Sequence, residues 1–516
     1  MLKRFFYIKY FNCLSPFFRG DLRQALTSGY IYVMLFAFPL FTGGSGYANI
    51  TFSKYLFFVI ATILWILALI IISLANRAVL KRPSAVQMAV LLFMLSAVLS
   101  FLFSAFKAQS FIGAGRYDGL LSLLLYTLIF LGVAEFGGAK MPHAYAFAAS
   151  VSLCCIVGIL QIFNLDILRL FPEGITYYDA HTLYTGEFLG TIGNVNILSS
   201  LLCLAIPLFF ALPVISGARR DFVFFIPLFL AVLTLCVSRV SAGAVACALC
   251  AVFGTPLLMT TIPRLRRALC AASVSLFAVA ASRFFDAGFS DGAFYAMLHF
   301  SKMAVLLCIA ALCLLVLALL LCIKEFNPSR KNMQVFFSCF CFASLLGALV
   351  FVYFYPWSGG TLYELSEILH GNINEKFGSS RIEIWRESLK LFPERPLLGG
   401  GPDTLSLRLS MSFSRYVEET GQTLSTFVDN AHNEYLGYLI NLGAFGFLSY
   451  LAVIFTSLFG WARAKGSSIG LALGFSVLCY AFQSFFSLGL CIVSPIFWLT
   501  LGLLSPNKIL HILEDS

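Results

Sequence analysis

Apolar runs of about twenty residues recur along most of this chain, divided by short polar breaks. A run of that length spans a bilayer as a helix, because in lipid every backbone N–H and C=O has to be satisfied within the segment. About fourteen such runs can be marked, near 30–46, 55–76, 84–106, 119–136, 143–164, 194–214, 222–238, 240–261, 268–283, 295–322, 334–355, 432–458, 468–487 and 489–504. Two polar intervals are long. The first, about 165–193, carries Asp166, Asp179, His181 and Glu187 among Tyr177, Tyr178 and Tyr184; the second covers 357–431. No internal repeat or low-complexity linker divides the chain. The pattern predicts an all-α integral membrane protein with about fourteen transmembrane helices, one domain over residues 1–516, in which 357–431 forms a helical cap over one end.

The basic residues test that count, since loops on the cytoplasmic side collect them. Lys3, Arg4, Lys9, Arg19 and Arg23 lead the first span. Every second loop then follows suit: Arg77, Lys81 and Arg82; Lys140; Arg219 and Arg220; Arg264, Arg266 and Arg267; Lys324, Arg330 and Lys331; Arg463 and Lys465; and Lys508 in the tail. The alternation puts both termini in the cytoplasm and 357–431 outside, in a multi-pass protein of the cytoplasmic membrane. No cleavable signal peptide is read in the long basic and aromatic leader.

Composition agrees: 60% of residues are hydrophobic and 11% charged, against about 25% charged in soluble domains. The net charge of +10 is therefore topological and implies no nucleic-acid partner; membrane lipids are the surroundings. The 357–431 interval holds ten acidic residues against seven basic ones, a near balance that suits a membrane site better than a polyanion. None of the fifteen cysteines falls in that interval, which excludes a disulfide framework there.

Inside the interval the residues become specific. Ser380-Arg381-Ile382-Glu383 has the spacing of a capping box, so a helix starts there, with Ile382, Trp385 and Leu389 on one face. Pro393 and Pro396 stop it, and Gly399-Gly400-Gly401-Pro402-Asp403 makes a turn whose backbone can approach a ligand closely. Asp429-Asn430-Ala431-His432-Asn433-Glu434 caps the next apolar helix and puts His432 in its first turn, at a membrane surface.

His432 carries the one side chain here whose ordinary pKa suits proton transfer near neutrality; it can equally serve as an interfacial anchor. Arg239 stands where two apolar spans meet, either as an intramembrane functional charge or snorkelling to headgroups. Arg381 has Arg386 and Arg395 as rivals for any anion-binding role. Arg116-Tyr117-Asp118-Gly119 and Gly190-Thr191-Ile192-Gly193-Asn194-Val195-Asn196 precede apolar spans, where capping by Asp118 and Asn194 explains them as well as substrate contact does. The chain has no Walker A motif, no GxGxxG in a βαβ context, no Asp-x-Asp pair and no HExxH, so neither a metal nor a cofactor is expected.

Taken in order, Arg381…Trp385…Pro396-Leu-Leu-Gly-Gly-Gly…Ala431-His432-Asn433-Glu434-Tyr435…Gly443…Gly446 resembles the signature of the O-antigen ligase and polymerase superfamily. Its members move lipid-linked glycans on the outer side of the cytoplasmic membrane. The resemblance implies a GT-C-like fold and a metal-independent glycosyltransferase. It also implies a polyprenyl-diphosphate-linked glycan as donor and a glycan or lipid as acceptor. His432 would be the general base, and Arg239 and Arg381 would hold the diphosphate. Arg116, Asn194, Asn196, Arg386, Asn433 and Glu434 would be further substrate contacts. A Ser-Arg-Gly-Ala-like step recurs in the family; here Val240-Ser241 follows Ser238-Arg239 in place of Gly-Ala. A lipid-linked oligosaccharide flippase would show two similar halves and short loops. A protein O-oligosaccharyltransferase would share the site and differ in acceptor.

Overall fold

A computed structural model describes residues 22–74, 78–80, 82–163, 165–171, 176–179, 182–185, 189–283, 285–290, 293–298, 302–323, 328–417, 422–463, 467–505 and 510–512. Each of the fourteen apolar runs overlaps a helix. The first helix, α1 (Leu22–Tyr32), continues through a π-helical stretch, Val33–Ala37, to a last turn at Phe38–Leu40. Then come α2 (Ile50–Leu74), α3 (Ala85–Phe103), the short α4 (Lys107–Ile112), α5 (Leu120–Phe136), α6 (Met141–Ile162) and α7 (Val195–Ser216). The next are α8 (Phe225–Val237), α9 (Ser241–Leu258), α10 (Ile262–Ser282), α11 (Lys302–Ile323) and α12 (Arg330–Phe354). The polar interval supplies α13 (Gly360–Leu369), α14 (Phe377–Leu389) and a single turn, α15 (Leu405–Arg408). Last are α16 (Glu434–Arg463), α17 (Ser468–Gln483) and α18 (Ser494–Leu504). Among the described residues, ten helices are long and apolar enough to cross a membrane, and α5, α17 and α18 are shorter apolar helices.

Among the described residues, strands are confined to four two-stranded antiparallel pairs. One corrects the tenth run: Phe285–Ser290 pairs with Ala293–Leu298, so α11 begins at Lys302 rather than near 295. The sequence between those strands reads Asp291-Gly292, the residue pair that two-residue hairpin loops favour. Another pair, Ser412–Val417 with Gln422–Phe427, makes the 357–431 interval mixed rather than wholly helical.

The core is a bundle around α7, whose apolar window is 89% buried, packed by α17, α9, α8 and α10. Trp498 of α18 is fully buried beside Phe93 of α3 and Tyr126 of α5. Lys54 of α2 is buried too, and donates to the carbonyls of Phe38 (3.1 Å) and Pro39 (3.0 Å). A cation there satisfies the open end of α1, whose last carbonyls have no helical partner.

The contacts sort the connections onto two ends of the bundle. At one end, Arg267 Nε donates to Val214 O (2.9 Å), Tyr145 to Asp221 (2.6 Å) and Trp461 Nε1 to Leu471 O (3.0 Å). Ala78–Leu80 pairs with Leu510–Ile512. Lys140, Arg219, Arg220, Arg264, Arg266, Arg267, Arg330 and Arg463 sit beside these connections. Of the residues in the charge alternation, Lys3, Arg4, Lys9, Arg19, Arg77, Lys81, Lys324, Lys465 and Lys508 lie outside the described residues, as do His181 and Glu187. The connections around 104–119, 239–241, 390–433 and 484–493 belong to the opposite end, joined by Ser104 Oγ to Gly400 O (2.7 Å), Gln483 Nε2 to Ser199 Oγ (3.3 Å) and Ser200 Oγ with Ser487 Oγ (3.2 Å).

Candidate functional site

At that second end, α16 is interrupted at Gly443, whose φ of 69° and ψ of −173° break the helix. The freed amides of Ala444 and Phe445 donate to Pro396 O (2.8 Å) and Leu397 O (3.2 Å). In return Gly400 N donates to Ile440 O (3.2 Å) and Gly401 N to Asn441 O (2.9 Å). Ser100 Oγ and Arg408 Nη2, each at 2.8 Å, complete Asn441 O and Ile440 O. The Pro-Leu-Leu-Gly-Gly-Gly segment thus lies along the break. Its glycines do approach a backbone closely, as the sequence suggested, but the backbone is that of α16 rather than a ligand's. A Cβ on Gly399 would stand 2.4 Å from Asn441 C, and one on Gly443 2.3 Å from Leu397 C.

The next residue with a task is Asp403. Its Oδ2 accepts from the amides of Arg116 (3.0 Å), Gly115 (3.2 Å) and Asp118 (3.4 Å), and its carbonyl accepts from Ala114 N (3.2 Å). The loop wraps the carboxylate through a positive φ at Gly113 and Tyr117, 118° and 58°. A Cβ at Gly113 would fall 2.4 Å from that oxygen. Burial pushes the Asp403 carboxyl up, and the three amides pull against it. Burial also drives Asp118 well up, with the Asp403 charge adding to it; Tyr126 donates to Asp118 Oδ1 (2.9 Å). The held loop aims Arg116 at Asp429, Nε to Oδ2 2.6 Å.

Three residues after Asp429 comes His432. It lies just before α16 rather than in its first turn, because Asn433 is the cap: its Oδ1 accepts from Leu436 N at 3.0 Å. His432 has a left-handed φ of 47°, and its amide donates to Asn430 Oδ1 (2.9 Å). Burial, then the Arg381 charge, pulls its imidazole down to about 4; Arg116 adds to this and Asp429 opposes it. It is therefore neutral near pH 7, the form a base requires.

Arg381 reaches this neighbourhood through α14. Residues 378–380 are all left-handed, with φ of 65°, 58° and 62°, so regular helix starts at Arg381 as the sequence suggested. A capping box does not form: Ser380 lacks the extended backbone a cap needs, and Glu383 N donates to Glu375 O (3.3 Å). The left-handed turn also resets the helix phase. Ile384 and Ser388 are the buried positions and Leu389 is exposed, where Ile382, Trp385 and Leu389 were expected. Trp385 Nε1 donates to Ala431 O (2.9 Å), fastening α14 beside His432 with Arg381 one turn earlier on the same side. Burial lowers the Arg381 pKa.

One pocket gathers Arg116, Asp118, Asp403, Asp429, Asn430, His432, Asn433, Glu434, Tyr438 and Asn441, with about 480 Å³ of empty space counting its open mouth. Four of the nine sequence candidates line it: Arg116, His432, Asn433 and Glu434. Glu434 is committed internally, accepting from Tyr450 and from Ser484 Oγ (2.9 Å). Asn194 caps α7, accepting from Asn196 N (2.9 Å) and Ile197 N (3.2 Å), and neither asparagine lines the pocket. Arg386 is half-exposed in ion pairs with Glu375 and Glu387. Arg239 is exposed at the α8–α9 junction with a φ of 55° and does not line the pocket. Asp403, Tyr438 and Asn441 were not among the candidates. The Gly-Gly-Gly-Pro-Asp run was the signal for the first; nothing marks the other two. Among the described residues, only Cys203, Cys247 and Cys479 bring three ligand atoms within 4.8 Å, and none of them lines this pocket.

No curated protein matches the chain. Residues 292–451, from before α11 to the middle of α16, match the family model described as O-antigen ligase, and this match bears out the resemblance to the O-antigen ligase and polymerase superfamily.

Proposed function

We propose that this multi-pass, all-α membrane protein is a glycosyltransferase that moves a glycan from a polyprenyl diphosphate to an acceptor hydroxyl on the outer side of the cytoplasmic membrane. In this reading fourteen helices cross the bilayer in a GT-C-like arrangement, both termini are cytoplasmic, and the 357–431 cap is outside. The observation that carries it is a neutral, half-buried His432 that lines one pocket with Arg116 and lies within the influence of the Arg381 charge.

His432 takes the proton of the acceptor hydroxyl as its oxygen attacks the anomeric carbon. The bond from that carbon to the diphosphate oxygen breaks, and the leaving diphosphate keeps the electron pair. Arg381, one turn before Trp385, and Arg239, outside the pocket at the α8–α9 junction, are the arginines assigned to that diphosphate, with planar guanidinium forks matched to its oxygens. Arg116, tied to Asp429, lines the pocket with His432. No nucleotide enters, since the donor brings its own leaving group.

The test mixes purified protein with a polyprenyl-diphosphate glycan and an acceptor, without added nucleotide or metal. Transfer that disappears in His432→Ala while donor binding persists is the expected result. Transfer unchanged in His432→Ala removes the histidine from the mechanism, and no transfer with any acceptor favours a flippase. Reporters fused after Gly371 and Gly466 check the sides, outer and cytoplasmic respectively.

A further inference from the structure

The floor of the pocket contains two polar groups the proposed reaction does not use. Tyr438 is 5% exposed, and its ring is fixed against Phe93 (centroids 5.2 Å apart) and Tyr450 (4.5 Å). Its hydroxyl is buried with no hydrogen-bond partner among the described residues. Asn441, three residues on and therefore on the same face of α16, leaves its buried side-chain Oδ1 equally without a partner. Both line the pocket that opens at His432. A buried hydroxyl and a buried amide oxygen without partners cost stability, and proteins rarely keep two on one helix face unless something else completes them.

The surroundings select the ligand's chemistry. Asp118, Asp403, Asp429 and Glu434 line the pocket against one arginine, Arg116, which is already paired with Asp429. With its one lining arginine already paired, the pocket offers no spare cation to a phosphate. A sugar ring fits it, because each ring hydroxyl both donates and accepts, and Tyr438 and Asn441 offer both roles. We propose that Tyr438 and Asn441 form the subsite that binds the acceptor's reacting sugar, a phosphate-free ring whose hydroxyls they hold beneath His432. Assigning the ring to the acceptor rests on His432 acting as the base; the affinity of the pocket for a neutral sugar does not.

Thermal unfolding of the purified protein tests the site without relying on transfer. The probes are glucose, galactose, N-acetylglucosamine, mannose and rhamnose at tens of millimolar, with inorganic pyrophosphate as the anionic contrast. Tyr438→Phe keeps the packed ring and removes only the hydroxyl, so it should unfold at the wild-type temperature or slightly above in the absence of sugar. At least one sugar should raise the wild-type midpoint, and Tyr438→Phe and Asn441→Leu should each weaken that sugar by about 3–10-fold, the effect of one lost hydrogen bond. In the transfer assay the same variants should raise the acceptor KM with the donor KM unchanged. A sugar shift equal in wild type and Tyr438→Phe overturns the site, as does no shift with any sugar or displacement of the sugar by pyrophosphate. Sugar binding that depends on Tyr438, in a protein that transfers nothing, would support the site and sink the proposed function instead.

Discussion

The two ends of the bundle are built from the same helices and differ in how the helices stop. At the basic end they stop early: chains turn quickly, and arginines such as Arg463, lying 3.8 Å over the Phe459 ring, rest on the surface. At the pocket end the connections are long and fold into one another. Arg116 is aimed by Asp403, Asp429 by Arg116, and α14 by Trp385 against Ala431. A charge at the first end rests in water or against a single neighbour, as Arg267 does on Val214 O. A charge at the second end is held by backbone amides or a buried partner, and its position carries chemistry.

That contrast can be broken most sharply at His432. Replacing it by Ala should lower transfer by about 10²–10⁴-fold, the usual contribution of a general base, while Arg463→Ala changes the rate less than about twofold. Equal losses in steady-state rates would mean that the two ends do not divide the work as described.

The next contrast is between glycines. Gly443→Ala forces a Cβ into the Leu397 backbone at a left-handed position and should cost about 3 kcal/mol or more. Gly460, on the same helix toward the basic end, has nothing within 4 Å of a Cβ, so Gly460→Ala should be neutral or stabilising by up to about 1 kcal/mol. Thermal midpoints in detergent decide between these outcomes.

Asp403 gives a smaller effect with a clearer logic. Asp403→Asn keeps an oxygen for the three amides and should retain most of the activity, whereas Asp403→Ala strands them and should cost about 1–3 kcal/mol in kcat/KM. If Asp403 works through Arg116, the Asp403→Ala loss shrinks in an Arg116→Ala background. Full additivity in that cycle would show that Asp403 does not act through Arg116.

The finest test is of pH. With its folded pKa pulled to about 4, His432 stays neutral down to that pH, so the acid limb of kcat/KM should lie near 4 rather than near the ordinary value of about 6.5. Removing the like charge in Arg381→Gln favours the protonated imidazole, and the limb should move to higher pH. The same depression means that stability contributed by His432 falls as pH drops from about 6.5 toward 4, because the unfolded chain binds the proton first. A limb that stays put in Arg381→Gln separates the two residues.

Much of the architecture was legible because hydrophobicity and basic charge are read one segment at a time. Helix α7 and the loop at Arg219 and Arg220 need no knowledge of their neighbours to be recognised. Of the candidate pocket, His432 was legible because a motif names it, and positions whose role is conferred by distant backbone were opaque. Nothing local tells that Asp403 faces the amides of 115–118, or that Tyr438 will lack a partner. The phase of α14 failed for a related reason: three left-handed residues in a row are set by packing, and periodicity presumes a regular start.

The break at Gly443 has a consequence for how the protein is made. Open amides and carbonyls about two and a half turns into a membrane helix cannot rest in lipid alone. The strip that closes them, 396–401, leaves the ribosome before α16 does. In the proposed topology it has to be across the membrane and waiting when residues 434–463 arrive, so translocation of the loop and insertion of the helix become one ordered event. A chain lacking residues 396–401 should stall with 434–463 accessible to a cysteine-directed probe introduced at Gly443, whereas the complete chain carrying the same Gly443→Cys change should shield it.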